Sequence, residues 1–175
     1  LGRLGLDGIS IGALAKETGM SKSGLFAHFQ SKENLQIEML DYAGKDFAKA
    51  VVLPSLSVKA GIPRILAVAE NWIAQSSKTR SGCIFVTTST EYSDRPGNVR
   101  DFLIAQQEEW LESLSLLALA AVKVGDFREN VDPDQFAYEF YSLMLGFNMY
   151  HILLKTKDKH KRQREALDKL IESYS

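Results

Sequence analysis

A chain of 175 residues, 45% apolar and 25% charged, can bury one or two cores and is too apolar to remain disordered. Its 21 basic and 22 acidic side chains leave a formal net charge of −1, which excludes attachment to nucleic acid through bulk positive charge. The single cysteine, Cys83, excludes an internal disulfide and a multi-cysteine zinc site, and no apolar run approaches the roughly 20 residues of a membrane helix. No basic-then-apolar signal segment opens the chain, so a cytoplasmic protein without a membrane partner is expected. Because the first residue is Leu1, a further segment ahead of it is expected too.

Six of the twelve glycines fall within the first 24 residues and none of the four prolines does, which points to short elements and tight turns there. Ser10 is placed to cap a short helix with Ile11, Leu14 and Ala15 facing inward, and Gly19 to end it. Met20 is the apolar residue of the turn. Ser21 is placed to cap a second helix that turns Leu25 and Phe29 back onto the first. Ser31 is placed to cap a third, with Glu33 in its first turn where the helix dipole favours a carboxylate.

Beyond residue 32 the apolar spacing becomes that of long helices. Leu35 to Ala50 keeps a helical rhythm that Pro54 is expected to stop, and Ile62 to Ile73 follows with Pro63 in its first turn. Leu103 to Val124 is closed by Gly125. Phe136 to Leu154 is opened by Asp132-Pro133, and Leu167 to Tyr174 ends the chain. Cys83 to Thr90 is the one β-like stretch, and it has no partner strand. The expected fold is all-α.

Two short helices with a small residue at their crossing and a glycine between them form a helix-turn-helix, although a plain αα-hairpin of a bundle has the same spacing. Residues 1–35 carry a more specific pattern: Gly5-Leu-Asp-Gly-Ile-Ser10, Ile11 to Gly19, and Met20-Ser-Lys-Ser-Gly-Leu-Phe-Ala-His-Phe-Gln-Ser-Lys-Glu-Asn-Leu35. This resembles the DNA-binding domain of the TetR (tetracycline-repressor-like) family of transcriptional regulators. The resemblance implies a three-helix DNA-binding unit over 1–35, its first helix truncated to a tail with Leu1 and Leu4 inward. A larger helical ligand-binding and dimerisation domain would fill 36–175.

The resemblance further implies that Lys22 and Ser23 meet base edges, while Ser10, Ser21, His28 and Lys32 meet phosphates. Gly24 and Phe26 complete the reading helix. Phe26 stands where the family usually has tyrosine, and Gly24 costs about 1 kcal/mol of helix propensity against alanine unless it admits the DNA backbone closely. His28 is equally readable as a surface residue sealing the unit. Four basic residues (Arg3, Lys16, Lys22, Lys32) against three acidic ones (Asp7, Glu17, Glu33) leave the unit weakly basic.

In the larger domain, Trp72, Phe102, Trp110, Tyr141 and Met144 suit either a bundle core or the walls of a pocket for a small apolar or aromatic effector. Gln106, Asn148 and His151 are the polar residues placed to orient such a ligand. The implied assembly is a homodimer through the last two helices that binds a near-palindromic double-stranded DNA operator, most often as a repressor. Lys155 to Arg164 is a basic run, readable as a solvated loop or as a nucleic-acid contact. Lys78 and Arg80 near Cys83 could lower a thiol pKa, although a small apolar residue opening a buried helix explains Cys83 equally. No catalytic arrangement, metal-ligand spacing or cofactor loop is present, so no enzyme and no cofactor are expected. The rival reading is a helical small-molecule-binding or enzymatic protein whose N-terminal hairpin is only structural.

Overall fold

The computed structural model describes residues 5–79 and 81–175, so the expectations for Leu1, Arg3, Leu4 and Arg80 lie outside the described residues. The described chain is all-α. Three helices come first: α1 (Ile11–Thr18), α2 (Lys22–Phe29) and α3 (Lys32–Phe47). Their starts follow local chemistry. Ser10, Ser21 and Ser31 each stand in extended backbone and accept from the N–H three residues on, those of Ala13, Gly24 and Asn34. Gly19 ends α1 in the left-handed region at φ 69°. Ala15 and Leu25 are buried at the α1–α2 crossing, whereas Met20 is exposed in the turn.

Pro54 does not stop the third helix. Ala48–Val52 widens into a π turn in which the Leu53 N–H reaches Ala48 O, five residues back, and α4 (Leu53–Leu56) follows. The wider turn puts Pro54 in the first turn of α4, where its missing N–H costs no hydrogen bond. The body continues with α5 (Ile62–Ser77), α6 (Ile84–Tyr92), α7 (Asn98–Lys123), α8 (Pro133–Met149) and α9 (Lys159–Tyr174). The β-like stretch from Cys83 is thus helix α6. With no neighbouring strand to take its backbone groups, the segment satisfies them internally.

The longest helices, α7 and α8, pack antiparallel, and α9 returns across α8. The core runs through them and α5, with Trp72, Leu114, Phe136, Phe140, Met144 and Phe147 almost wholly excluded from water. Phe136 meets Phe127 and Tyr174 at centroid distances of 5.2 Å each. Arg128 N–H donates to Tyr174 O, which fastens the end of α9 to the α7–α8 connection. A second π turn, Tyr150–Leu154, extends α8 until Lys155 breaks it at φ 52°. The basic run is therefore not simply an interhelical loop, because Lys159–Arg164 forms the first turns of α9.

No described helix is long and apolar enough to cross a membrane. Truncating the aromatic knot should be costly: Phe136→Ala is expected to lower unfolding free energy by about 3–5 kcal/mol in urea titrations followed by far-UV circular dichroism.

Candidate nucleic-acid interface and ligand cavity

Lys22 and Ser23 open α2, exposed, directly after the Ser21 cap, and Phe26 one turn further is exposed as well. Ser10 is exposed at the start of α1, and Lys32 starts α3. Gly24 has a local reason to be glycine, because a Cβ there would stand 3.0 Å from the Ser21 hydroxyl that caps its own helix. His28 seals nothing. Its side chain is 68% exposed, edge-on to Phe29 and 4.0 Å from the Glu38 carboxylate.

Lys32 is already engaged, its Nζ 2.7 Å from Asp7 Oδ1. Arg95, in the turn between α6 and α7, reaches the other oxygen of the same carboxylate at 3.1 Å. The Lys32 ammonium, followed by the Arg95 guanidinium, holds the Asp7 carboxyl below the ordinary carboxylate range.

The head, made of α1, α2 and the start of α3, is fastened to the body by bonds between residues far apart in sequence. The Glu91 carboxylate, near the end of α6, accepts from Leu6 N–H at 2.9 Å and Asp7 N–H at 2.8 Å. Gln36 on α3 donates to Leu6 O, and the Leu6 side chain is buried in the core of the body. Gly5, at φ 65°, passes so near that a Cβ would stand 2.8 Å from Glu91 Oε2. Glu33 does more than face a helix dipole, since it accepts from both the backbone and side-chain amides of Asn98 at the start of α7. Sequence patterning misses these ties because each joins residues 30 to 85 positions apart.

Two cavities lie behind this junction. One, of about 190 Å³, has Trp72, Gln106, Trp110 and Tyr141 among its walls, with Phe47, Phe85 and Cys83. The other, of about 340 Å³, shares those last three residues and extends past Asp46, Gln75 and Thr88 to Glu91, Gly5 and Leu6. The structure thus brings together four of the eight expected pocket residues. Tyr141 OH donates to Gln107 Oε1 at 2.6 Å, and burial pushes its pKa up. Gln106 donates to Glu109, and the buried Trp110 indole N–H has no acceptor among the described residues.

The other four do not line either cavity. Phe102 packs against the core from α7, and Met144 is enclosed in it. Asn148, also buried, accepts the Cys83 N–H at the start of α6, where no side-chain cap serves. His151 stacks on Phe147 and reaches Thr79 O through Nε2. Their helical spacing is that of inward residues, but inward here means toward core and loop. Burial raises the Cys83 thiol pKa, the opposite of what a reactive thiolate requires, and Lys78 turns to Gln75 instead.

Asn148→Leu, which keeps the branched shape and removes the acceptor, should destabilise the protein by at least about 1–3 kcal/mol through the orphaned Cys83 N–H, measurable by denaturant unfolding. Glu91→Ala should speed hydrogen exchange at the Leu6 and Asp7 amides by about tenfold or more, while amides of α7 and α8 keep their protection.

Comparison with known proteins agrees with this architecture. The family model "Bacterial regulatory proteins, tetR family" matches residues 1–39, and "Tetracyclin repressor-like, C-terminal domain" matches residues 61–167. A TetR transcriptional regulator from Chloroflexus aurantiacus superposes with a TM-score of 0.82 at 25% identity, covering 97% of this chain and 85% of that one. A TetR-family regulator from Streptomyces coelicolor gives 0.82 at 20% identity, covering 97% and 87%. AibR, solved in complex with isovaleryl coenzyme A and operator DNA, gives 0.68 at 21% identity, covering 98% and 89%. No curated protein matches the sequence. With a helical head whose α2 exposes Lys22 and Ser23, a helical body behind it and family models matching both parts, the chain belongs to the TetR family of DNA-binding transcriptional regulators.

Proposed function

We propose that the protein is a ligand-responsive transcriptional repressor that binds a near-palindromic operator as a homodimer. In this reading residues 1–35 are the DNA-binding domain and 36–175 the ligand-binding and dimerisation domain, with α3 running continuously across the boundary. The observation that carries it is the head itself: Lys22 and Ser23 stand exposed at the capped N-terminus of α2, where a recognition helix meets the major groove. Lys22 then donates to guanine O6 and N7, Ser23 meets a neighbouring base, and Gly24 and Phe26 face the groove wall. Ser10, Ser21, His28 and Lys32 meet phosphates, and the helix N-termini add free N–H groups there.

The effector of this reading is a small apolar or aromatic molecule held among Trp72, Trp110 and Tyr141, with Gln106 at hand. The Trp110 indole N–H supports a ligand that brings a hydrogen-bond acceptor. That AibR was solved with a coenzyme A thioester and operator DNA supports the pairing of the two activities. Release follows if the ligand binds more tightly to a state whose two heads no longer match the operator, since equal affinity would shift nothing.

The dimer of this reading forms through α8 and α9. Tyr138, Leu145 and Met149 are exposed along one side of α8, and Leu153 and Leu154 are exposed just beyond it. That apolar surface supports a partner helix. The outward side chains of α9, including Lys161, Arg164, Asp168 and Lys169, are charged, so α8 supplies the apolar part of the interface and α9 a polar rim.

Selection from a random-sequence duplex pool tests the whole reading. A two-half-site duplex should be enriched, and Lys22→Ala should lose about 1–3 kcal/mol of discrimination at one base pair per half-site. Enrichment of nothing, or an unchanged base preference in the variant, would sink it. Sedimentation at micromolar concentration should give a dimer, and Leu153→Asp with Leu154→Asp should give a folded monomer that binds the duplex at least about tenfold more weakly.

A further inference from the structure

The Asp7 carboxylate is divided between two cations that belong to different parts of the molecule. Its Oδ1 faces Lys32 Nζ at 2.7 Å, on the head, and its Oδ2 faces Arg95 Nη1 at 3.1 Å, on the body. The carboxylate cannot follow either partner far. The Asp7 N–H is held at 2.8 Å by Glu91, and the preceding Leu6 is buried with its own N–H and C=O both bonded. The Lys32 and Arg95 side chains are half-exposed.

This division matters for the phosphate contact assigned to Lys32 above, on which the inference rests. For Lys32 to give its charge to a DNA phosphate, it must leave or share Asp7. A carboxylate without its cation, fixed beside the path of the phosphates, would repel them and draw Lys32 back. Arg95 is placed to prevent that. It lies in the turn Asp94–Gly97, its guanidinium 5.5 Å from the centre of the Tyr92 ring. From there it already holds the second oxygen of Asp7.

We propose that Arg95 is a positioning residue for DNA binding: by keeping Asp7 neutralised, it releases Lys32 to the operator. Arg95 follows the end of α6, and α6 forms one wall of the larger cavity from Ile84 to Glu91. A ligand that displaces this end of α6 withdraws Arg95, leaves Asp7 to recapture Lys32, and weakens each head's grip on the backbone. This electrostatic route acts in addition to any change in the spacing of the heads.

The test is equilibrium binding of the full chain to the duplex enriched by the wild-type protein, over a series of salt concentrations. Lys32→Ala should weaken binding about tenfold and flatten the salt dependence by roughly one counterion per protomer. Arg95→Ala should weaken it about three- to fivefold with a similar flattening, since Lys32 stays on Asp7, whereas Arg95→Lys should keep most of the affinity. Asp7→Asn should bind at least as well as wild type, and Asp7→Asn combined with Arg95→Ala should match Asp7→Asn alone. If Arg95 only docked the head to the body, Asp7→Asn would bind worse than wild type and the salt slope would not move; either result overturns the proposal. Arg95→Ala binding like wild type would overturn it as well. An unaltered Lys32→Ala would remove the phosphate reading of Lys32 and the proposal together, whereas a weakened Lys32→Ala with an unaffected Arg95→Ala would remove the proposal alone. Thermal melts of each variant, expected within a few degrees of wild type, exclude unfolding as the cause of lost binding.

Discussion

The interaction on which the rest depends is the grip of the Glu91 carboxylate on two consecutive backbone amides, those of Leu6 and Asp7. Charge-assisted hydrogen bonds to backbone N–H groups are stronger than neutral ones, and here two of them act on one short segment. With the Leu6 side chain buried in the core of the body, this segment belongs to both parts of the molecule. Gly5 makes the approach possible, since any larger residue would meet the carboxylate and would have to adopt the left-handed region as well. The head is therefore more than a unit tethered by the continuous α3. It is fastened at a second point, and the residue that fastens it also lines the larger cavity.

That coincidence gives the architecture its functional logic. A ligand in the body can affect DNA binding only if some element differs between the liganded and free states in a way the head can feel. Helix α6 meets that requirement physically. One end begins at Cys83, fixed by the buried Asn148, and the other carries Glu91, Tyr92 and then Arg95 toward the head. Phe85 and Thr88 lie between them on the cavity wall. A helix pinned at one end and bonded to the head at the other turns a change in its middle into a change at the junction. The aromatic knot of Phe127, Phe136, Phe140 and Tyr174 joins α8, α9 and the connection between α7 and α8, at a distance in sequence from that helix.

How much of this was legible in the sequence follows from the range of the interactions. The serine caps at Ser10, Ser21 and Ser31 and the left-handed Gly19 act over three or four residues, and each could be read from its immediate neighbours. The helical stripes were equally readable because periodicity is local. Pro54 misled for an instructive reason: the rule that proline ends a helix assumes four-residue hydrogen bonding, and the π turn at Ala48–Val52 changes the spacing just before it. Asn148 and His151 misled differently. A polar residue at an inward position signals that something must satisfy it, but the partner turned out to be the backbone of the α5–α6 connection rather than an open cavity. Leu6 and Glu91 gave no signal at all, because nothing local distinguishes an acid that will hold amides 85 residues away.

The near-cancellation of charge over the whole chain acquires a structural meaning at the same junction. Residues 5–35 carry three lysines, Lys16, Lys22 and Lys32, and the last is offset by Asp7. Affinity without sequence preference scales with the phosphates that cations can neutralise, so a lysine answered by a carboxylate counts for less. Arg95 changes that balance without adding a residue to the reading surface. It lies in the body, yet it holds one of the two Asp7 oxygens while Lys32 holds the other. In the reading proposed above, loss of Arg95 would cost each head the use of one of these lysines. In that reading the shared Asp7 carboxylate is what links the end of α6 to the cation that would meet the DNA backbone.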